Sequence, residues 1–151
     1  MRRKYFILLA GLLLTVLSSG CTRNDGDIGD LFGWWTLDTL TADGAEQDLL
    51  SDEVLLYTFS FQTDIVQIQQ TFPHADFMRW KGMWSRDEET LYLDFGHTDD
   101  AGGYYEPPVE LHLIRGTTPL SILTLNGKRM HLRYKNSESG VTYDYYFSKV
   151  I

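Results

Sequence analysis

An alternation of apolar and polar residues, with a period of two, runs from residue 33 to residue 150. This is the spacing of β-strands that bury one face, because successive side chains of a strand point to opposite sides. β-branched and aromatic residues are enriched in the alternating runs, and Gly, Asp, Asn and Ser lie between them. Almost no helical period is present apart from a short turn predicted within residues 46–53. The chain is therefore expected to fold as an antiparallel β protein.

The alternation also predicts which side chains share the inward face of each strand. The first strand should end at the turn Asp43-Gly44, and Thr63-Asp64 should lead into a strand over residues 65–71. The predicted inward rows are Trp35, Leu37 and Thr39; Leu55, Tyr57, Phe59 and Phe61; Met78, Trp80, Gly82 and Trp84; Leu91, Leu93 and Phe95; and Val141, Tyr143, Tyr145 and Phe147.

About eight strands follow one another in sequential hairpins. The strongest short-range signal is Asn126-Gly127, between residues 122–125 and 130–134, since both residues tolerate positive φ. A meander of that number of strands closes into a barrel and so removes its exposed edges. We therefore predict an all-β fold, an antiparallel up-and-down barrel of about eight strands.

The first 21 residues have the three-part layout of an export signal. A basic start precedes an apolar run of about 13 residues, short of the ~20 needed to span a bilayer, and small residues lead to Cys21. The segment resembles a bacterial lipoprotein signal, with Ser18 where such signals usually have Leu. That resemblance implies cleavage before Cys21, the only cysteine of the chain, and diacylation of its thiol. The alternatives are an uncleaved anchor and an ordinary secretory signal followed by a buried cysteine.

Cleavage would divide the chain into a signal peptide over residues 1–20, a lipidated tether over 21–32 and a barrel domain over 33–151. The tether is acidic and glycine-rich, with too little apolar surface to fold alone. Loss of residues 1–20 removes three of the 13 basic residues and none of the 21 acidic ones, which leaves a net charge of −11. Such a surface repels nucleic acid and anionic headgroups, so no nucleic-acid partner is expected and the acyl chains should supply membrane attachment.

The first predicted strand opens with Gly33-Trp34-Trp35, a Gly-x-Trp motif followed by a meander to the C-terminus. In this respect the chain resembles the lipocalin-like branch of the calycin superfamily. In lipocalins the Trp of this motif packs across the closed base of the barrel, and a basic residue near the end of the barrel covers it. The resemblance implies these roles for Trp35 and Lys149, although an Arg is the usual cover.

A narrower resemblance covers nearly the whole mature chain. Four segments are similar to a family of small lipocalin-like lipoproteins from anaerobic gut bacteria: residues 24–29, 80–84, 91–97 and 118–120. That family has no assigned activity, so the resemblance implies a fold and an outer-membrane address in the cell envelope, but no ligand. In such lipoproteins, acidic residues just after the cysteine act as a surface-export signal, and the tether loosely resembles one. Both faces of the outer membrane therefore stay open as locations.

The chain shows no catalytic or metal-binding motif with an established spacing. Its lone thiol is assigned to lipid, and a Gly-x-Ser-x-Gly motif is absent. Paired acids lie in predicted turns, where water surrounds them. His74 and His97 each lie two residues before an Asp, a spacing that suits turn capping as well as metal binding, and His131 should point outward. We expect no enzymatic activity, no metal and no cofactor.

Aromatic side chains are the candidate ligand contacts. They make up 14% of the chain, and many lie on inward rows, where an eight-strand barrel has room for side chains or for one small ligand. The irregular segment over residues 96–109 carries two tyrosines beside Gly and Pro, which suits covering a barrel mouth or gripping a partner. The candidate ligand-binding residues are Trp35, Tyr57, Phe59, Trp80, Trp84, Tyr104, Tyr105, Tyr143 and Tyr145.

Two hypotheses about function stay open. The first is a binding module whose interior holds a small apolar or aromatic molecule, and the lipocalin resemblance favours it. The second is an interaction or structural module of an envelope complex, with an interior filled by its own aromatic residues and no small ligand. The bulk of the inward rows favours this second hypothesis. A connected pocket above about 300 Å³ lined by those residues would support the first, and a solid interior the second.

Overall fold

The computed structural model describes residues 29–96 and 106–150. Cys21, Tyr104, Tyr105 and His97 lie outside these ranges, so lipidation and the roles of the two tyrosines stay predictions. The strands are β1 (Gly33–Ala42), β2 (Ala45–Glu46), β3 (Leu56–Gln62), β4 (Ile65–Thr71), β5 (Phe77–Arg86), β6 (Thr90–Asp94), β7 (Thr117–Leu125), β8 (Arg129–Lys135) and β9 (Thr142–Lys149). Two short 3₁₀ turns lie at Pro73–Ala75 and Val109–Leu111. Within these described ranges, no helix is both long and apolar enough to cross a membrane.

The strands form one closed antiparallel barrel. From β3 to β9 each strand pairs with the next along the chain, and β1 pairs with both β3 and β9, which closes the sheet. The two-residue β2 only extends a hairpin at the end of β1. Over the described residues the barrel wall therefore has eight strands, and the prediction of an all-β up-and-down barrel with a lipocalin-like order is confirmed.

The predicted alternation places a dense aromatic core inside this barrel. The buried inward side chains are Trp35, Leu37, Tyr57, Phe59, Phe61, Trp80, Leu91, Leu93, Phe95, Tyr143, Tyr145 and Phe147. The rings of Phe59 and Phe147 meet edge-on with centroids 5.0 Å apart, and Phe61 and Trp84 meet in the same way at 5.9 Å. Each aromatic ring of this kind buries about 150–250 Å², so these rows dominate the packing energy.

Two of the predicted inward positions are wrong. A β-bulge shifts the register of β1 against β9 between Leu37 and Thr39, because Asp38 is an extra residue in β1. After the bulge Leu40 is the inward residue, with 0% of its surface exposed, and Thr39 is only partly buried. Leu55 precedes the first residue of β3 and is 50% exposed.

The turns lie where the sequence predicts them, but one of them is stabilised in a different way. Asp43 and Gly44 have φ values of 48° and 82°, as a tight hairpin between β1 and β2 requires. The hairpin at Asn126 also forms, yet neither Asn126 nor Gly127 has a positive φ. Instead, the Asn126 side-chain oxygen accepts hydrogen bonds of 2.9 Å from the backbone N–H groups of Lys128 and Arg129. The Asn126 side chain therefore stabilises this turn, in place of the positive φ values on which the prediction depended.

Candidate functional site

The base of the barrel, where β1 begins, is closed by a tryptophan and a lysine. The indole Nε1 of Trp35 donates a 2.7 Å hydrogen bond to the carbonyl of Leu31. The Lys149 Nζ lies 4.9 Å from the centre of a Trp35 ring and donates a 2.7 Å hydrogen bond to the carbonyl of Asp30. Lys149 thus covers Trp35, as the lipocalin resemblance implies. Leu31 is itself part of the buried core, so ordered packing begins before Gly33.

The opposite end, here called the mouth, is covered by residues 106–116. Leu111 in this segment has 0% of its surface exposed and belongs to the core cluster. The Tyr145 hydroxyl donates a 2.8 Å hydrogen bond to the carbonyl of Leu111, and burial raises the pKa of Tyr145. His112 adopts a left-handed backbone conformation and stacks on Tyr143 with ring centroids 4.5 Å apart. The segment therefore plugs the mouth with its own apolar side chain.

A cleft opens in the barrel wall beside this plugged mouth. β1 pairs with β3 only from Gly33 to Thr36, and beyond that point it pairs with β9 and, at Thr41 and Ala42, with the short β2. The segment that follows β2 crosses the resulting gap and encloses a cleft of about 270 Å³. Its lining consists of Leu37, Asp38, Thr39, Leu40, Glu46, Gln47, Asp48, Leu49, Leu50 and Tyr57.

The cleft has an apolar floor and one buried polar group. Leu37, Leu40 and Tyr57 are inward side chains of the barrel, each with no more than 4% of its surface exposed. Gln70 donates a 2.7 Å hydrogen bond from its side-chain nitrogen to the Tyr57 hydroxyl oxygen. Burial, together with the nearby charge of Glu110, raises the pKa of Tyr57 to about 12. Tyr57 is therefore a neutral phenol at physiological pH and keeps its hydrogen as a donor.

A shallower groove of about 230 Å³ lies against β5, β6 and the start of β7. It is lined by Met83, Trp84, Ser85, Tyr92, Asp94 and Thr117. Trp84 also packs edge-on against Phe32 and Phe61. Its Nε1 atom is buried and has no hydrogen-bond partner within the described parts of the chain.

The seven predicted ligand-binding residues within the described ranges are spread over the barrel and do not form one pocket. Tyr57 lines the cleft and Trp84 the groove. Trp35 belongs to the closed base, Phe59 packs on Phe147, and Trp80 is buried in the core cluster. Tyr143 and Tyr145 hold the mouth segment. Ligand contact by these residues stays a prediction.

Sequence reasoning did not identify most of the cleft. Glu46, Asp48 and Leu49 follow the end of the first strand in a stretch without strand periodicity. Leu40 was missed because the bulge at Asp38 moves it inward. For Leu111 a weak signal did exist, since Val109, Leu111 and Leu113 are spaced two apart at the end of the irregular segment and just after it.

A charged cluster on the outer wall has a structural role. Asp144 accepts hydrogen bonds of 2.8 and 3.1 Å from Arg133 and one of 2.8 Å from His131, which points outward and stacks on Tyr146. Burial raises the pKa of Asp144, but the hydrogen bonds from Arg133 and His131 outweigh it, so that the net pKa is lowered. Among the described residues, no group of three His, Cys, Asp or Glu side chains is arranged to hold a metal ion.

Comparison with known proteins connects this geometry to a fold. No protein-family model and no curated protein matches the sequence. A lipocalin-like protein from Bacteroides uniformis superposes with a TM-score of 0.58 and 18% identity, over 80% of this chain and 99% of the other. An uncharacterized protein from Bacteroides eggerthii superposes with a TM-score of 0.54 and 16% identity, over 79% and 98%. The closed eight-strand barrel, with Trp35 and Lys149 at its base, thus has a lipocalin-like fold.

Proposed function

We propose that this chain is a lipid-anchored protein of the cell envelope whose barrel binds a small apolar or aromatic molecule without catalysing a reaction. The observation that carries the proposal is the cleft in the barrel wall between β1 and the segment that follows β2. Ligand pockets are typically apolar concavities with a few placed polar groups, and this cleft is lined by four leucines and Tyr57 beside polar and acidic side chains.

The packing of the barrel limits where such a ligand binds. Trp35, Phe59 and Phe147 fill the interior between the base and the cleft, and Leu111 fills the mouth. A ligand in the cleft displaces none of these side chains. The cleft of about 270 Å³ falls short of the ~300 Å³ pocket that would support ligand binding, and of the predicted aromatic residues only Tyr57 lines it, so this measure favours the interaction module. The proposed ligand is therefore smaller than a typical drug.

The anchor in this proposal is Cys21, and the location is the outer membrane, with the surface as one of its two sides. The export signal and the lone cysteine support this assignment. Replacement of Cys21 by Ser should release the protein into the soluble fraction of lysed cells without changing its melting temperature. Persistent membrane association of the Cys21→Ser protein would refute the anchor.

Native mass spectrometry of the protein extracted from its own cell envelope tests ligand binding. We expect a bound small molecule with the unmodified protein. Leu49→Trp should abolish it, because Leu49 lines the cleft and the larger side chain fills the space. Leu123→Trp is the matched control, since Leu123 is 45% exposed on β7 and outside the cleft lining. An unmodified protein that carries no small molecule would count against the proposal.

A second candidate function is supported by a different observation. Ile65 and Met83 are cross-strand neighbours on the outer wall, 47% and 43% exposed, so their side chains form one small apolar patch. Exposed apolar groups of this kind mark protein contact sites more often than single scattered residues do. With a filled interior, the barrel would then be an interaction or structural module of an envelope complex. Copurification of a stoichiometric protein, in place of a small molecule, would favour this function.

A further inference from the structure

The lining of the cleft is strongly biased in charge. Three of its ten residues are acidic, namely Asp38, Glu46 and Asp48, and none is basic. The whole chain is also acidic, with a formal net charge of −8. Negative charge around a concave site concentrates positive ions and disfavours anions.

The three carboxylates are not equally available to a ligand. Asp38 accepts a 2.7 Å hydrogen bond from the Ser148 hydroxyl and forms a 3.4 Å ion pair with Arg129. The carboxylates of Glu46 and Asp48, in contrast, make no hydrogen bond or ion pair with any residue of 29–96 or 106–150. Both residues are exposed and follow directly on the hairpin of β1 and β2. They are the free negative charges at the cleft rim.

We infer that the ligand of this cleft is a small organic cation with an apolar body, such as an aromatic or aliphatic monoamine. The inference rests on the proposed function and specifies the ligand class of the same site. The apolar body lies on the accessible leucines of the cleft, Leu49 and Leu50, and the ammonium group faces Glu46 and Asp48. Tyr57 adds no negative charge, because a tyrosine hydroxyl is neutral at physiological pH and burial raises its pKa further. The attraction to the cation therefore comes from the rim.

Three probes of matched shape and different charge test the inference. Phenethylamine is cationic, phenethyl alcohol is neutral, and hydrocinnamate is anionic. Binding is measured by calorimetry on the lipidated protein in neutral detergent, and the site is located by changes in the amide NMR signals of residues 37–40 and 46–50. At low salt we expect the amine to bind at least about fivefold more tightly than the alcohol, the factor that one charge pair at 4 Å gives in water. The preference should fall as salt rises.

Matched variants locate the source of the preference. The double variant Glu46→Gln and Asp48→Asn should bind amine and alcohol equally, since both changes keep side-chain shape and remove charge. The control variant Asp52→Asn and Glu53→Gln removes two charges from the same connecting segment, outside the cleft lining, and should keep the preference. All four residues are exposed, so both variants should fold like the unmodified chain.

The outcomes separate this inference from the proposed function. Equal binding of amine and alcohol at the cleft would overturn the inference and leave the proposed function standing. Loss of the amine preference in the control variant, as well as in the rim variant, would also overturn it, because the whole-molecule charge would then be responsible. Absence of any probe from the cleft would overturn the inference and remove the cleft as the binding site.

Discussion

Replacement of Trp35 by alanine should cost about 3–5 kcal/mol of unfolding free energy. The Trp35 side chain has 0% of its surface exposed, and it connects three parts of the barrel base. Its rings lie in the core, its Nε1 holds the Leu31 carbonyl at 2.7 Å, and the Lys149 ammonium covers one of its rings at 4.9 Å. Alanine removes all of these contacts at once and leaves a cavity.

The magnitude follows from the size of the lost side chain and from the orphaned carbonyl. Large-to-small changes of a buried Trp or Phe cost about 3–5 kcal/mol in measured series. Leaving a buried carbonyl such as that of Leu31 without its donor costs about 1–3 kcal/mol, and the exposed cation–π contact adds about 0.5–1 kcal/mol. These contributions overlap, because the lower end of the barrel relaxes into the space. Trp35→Phe keeps a ring and loses the donor, and it should cost about 1–3 kcal/mol.

Urea unfolding followed by circular dichroism measures these free energies. Trp34→Ala is the matched control, because Trp34 is the next residue, faces the other side of β1 and is only partly buried. It should cost no more than about 1 kcal/mol, the span of strand propensities. A Trp35→Ala loss under about 1 kcal/mol, or a loss equal to that of Trp34→Ala, would refute the inward assignment of Trp35. Should Trp35→Ala fail to fold, Trp35→Phe still separates the two faces.

Two further perturbations probe the wall of the barrel. Gly82→Ala should lower the free energy of unfolding in urea by about 1–3 kcal/mol, because a Cβ at Gly82 would lie 2.8 Å from a ring carbon of Phe95. The control is Gly127→Ala, where the added Cβ meets nothing closer than 4.0 Å and the loss should be less than half as large. Asp144→Asn should destabilise the protein at pH 7, where the lowered pKa keeps the unmodified carboxylate charged and bonded to Arg133. A carboxylate whose pKa is lower in the folded than in the unfolded protein stabilises the folded state at pH values above the unfolded pKa of about 4. That stabilisation is lost as the pH falls through the folded pKa. Thermal melts of both proteins should therefore converge below about pH 4, and a constant difference across pH would contradict the sign.

The alternation of apolar and polar residues along the chain was sufficient to predict most of the barrel. Alternation over residues 57–61 and 141–147 predicted side-chain directions that the structure confirms, since a strand has only two faces and burial of one decides the other. The strands are also joined in chain order, so the antiparallel pairing needed no long-range information.

Local pattern failed where one extra residue or a distant contact decided the outcome. The alternation does not predict the bulge at Asp38, because Thr39 and Leu40 both suit an inward position until the pairing with β9 is known. Leu111 lies in an irregular segment, and its burial depends on the Tyr145 hydroxyl, which is 34 residues away in the chain. No property of either residue alone predicts that contact.

The amino-acid sequence by itself determined the acidic charge, the strand order and the aromatic rows, because each depends on residues that are neighbours along the chain. Only the tertiary structure decided that Leu111 fills the mouth and that a cleft opens between β1 and β3. β1 stops pairing with β3 after Thr36, next to the bulge at Asp38 that bends the strand, and this loss of pairing depends on where β3 and β9 meet β1 and not on a local pattern.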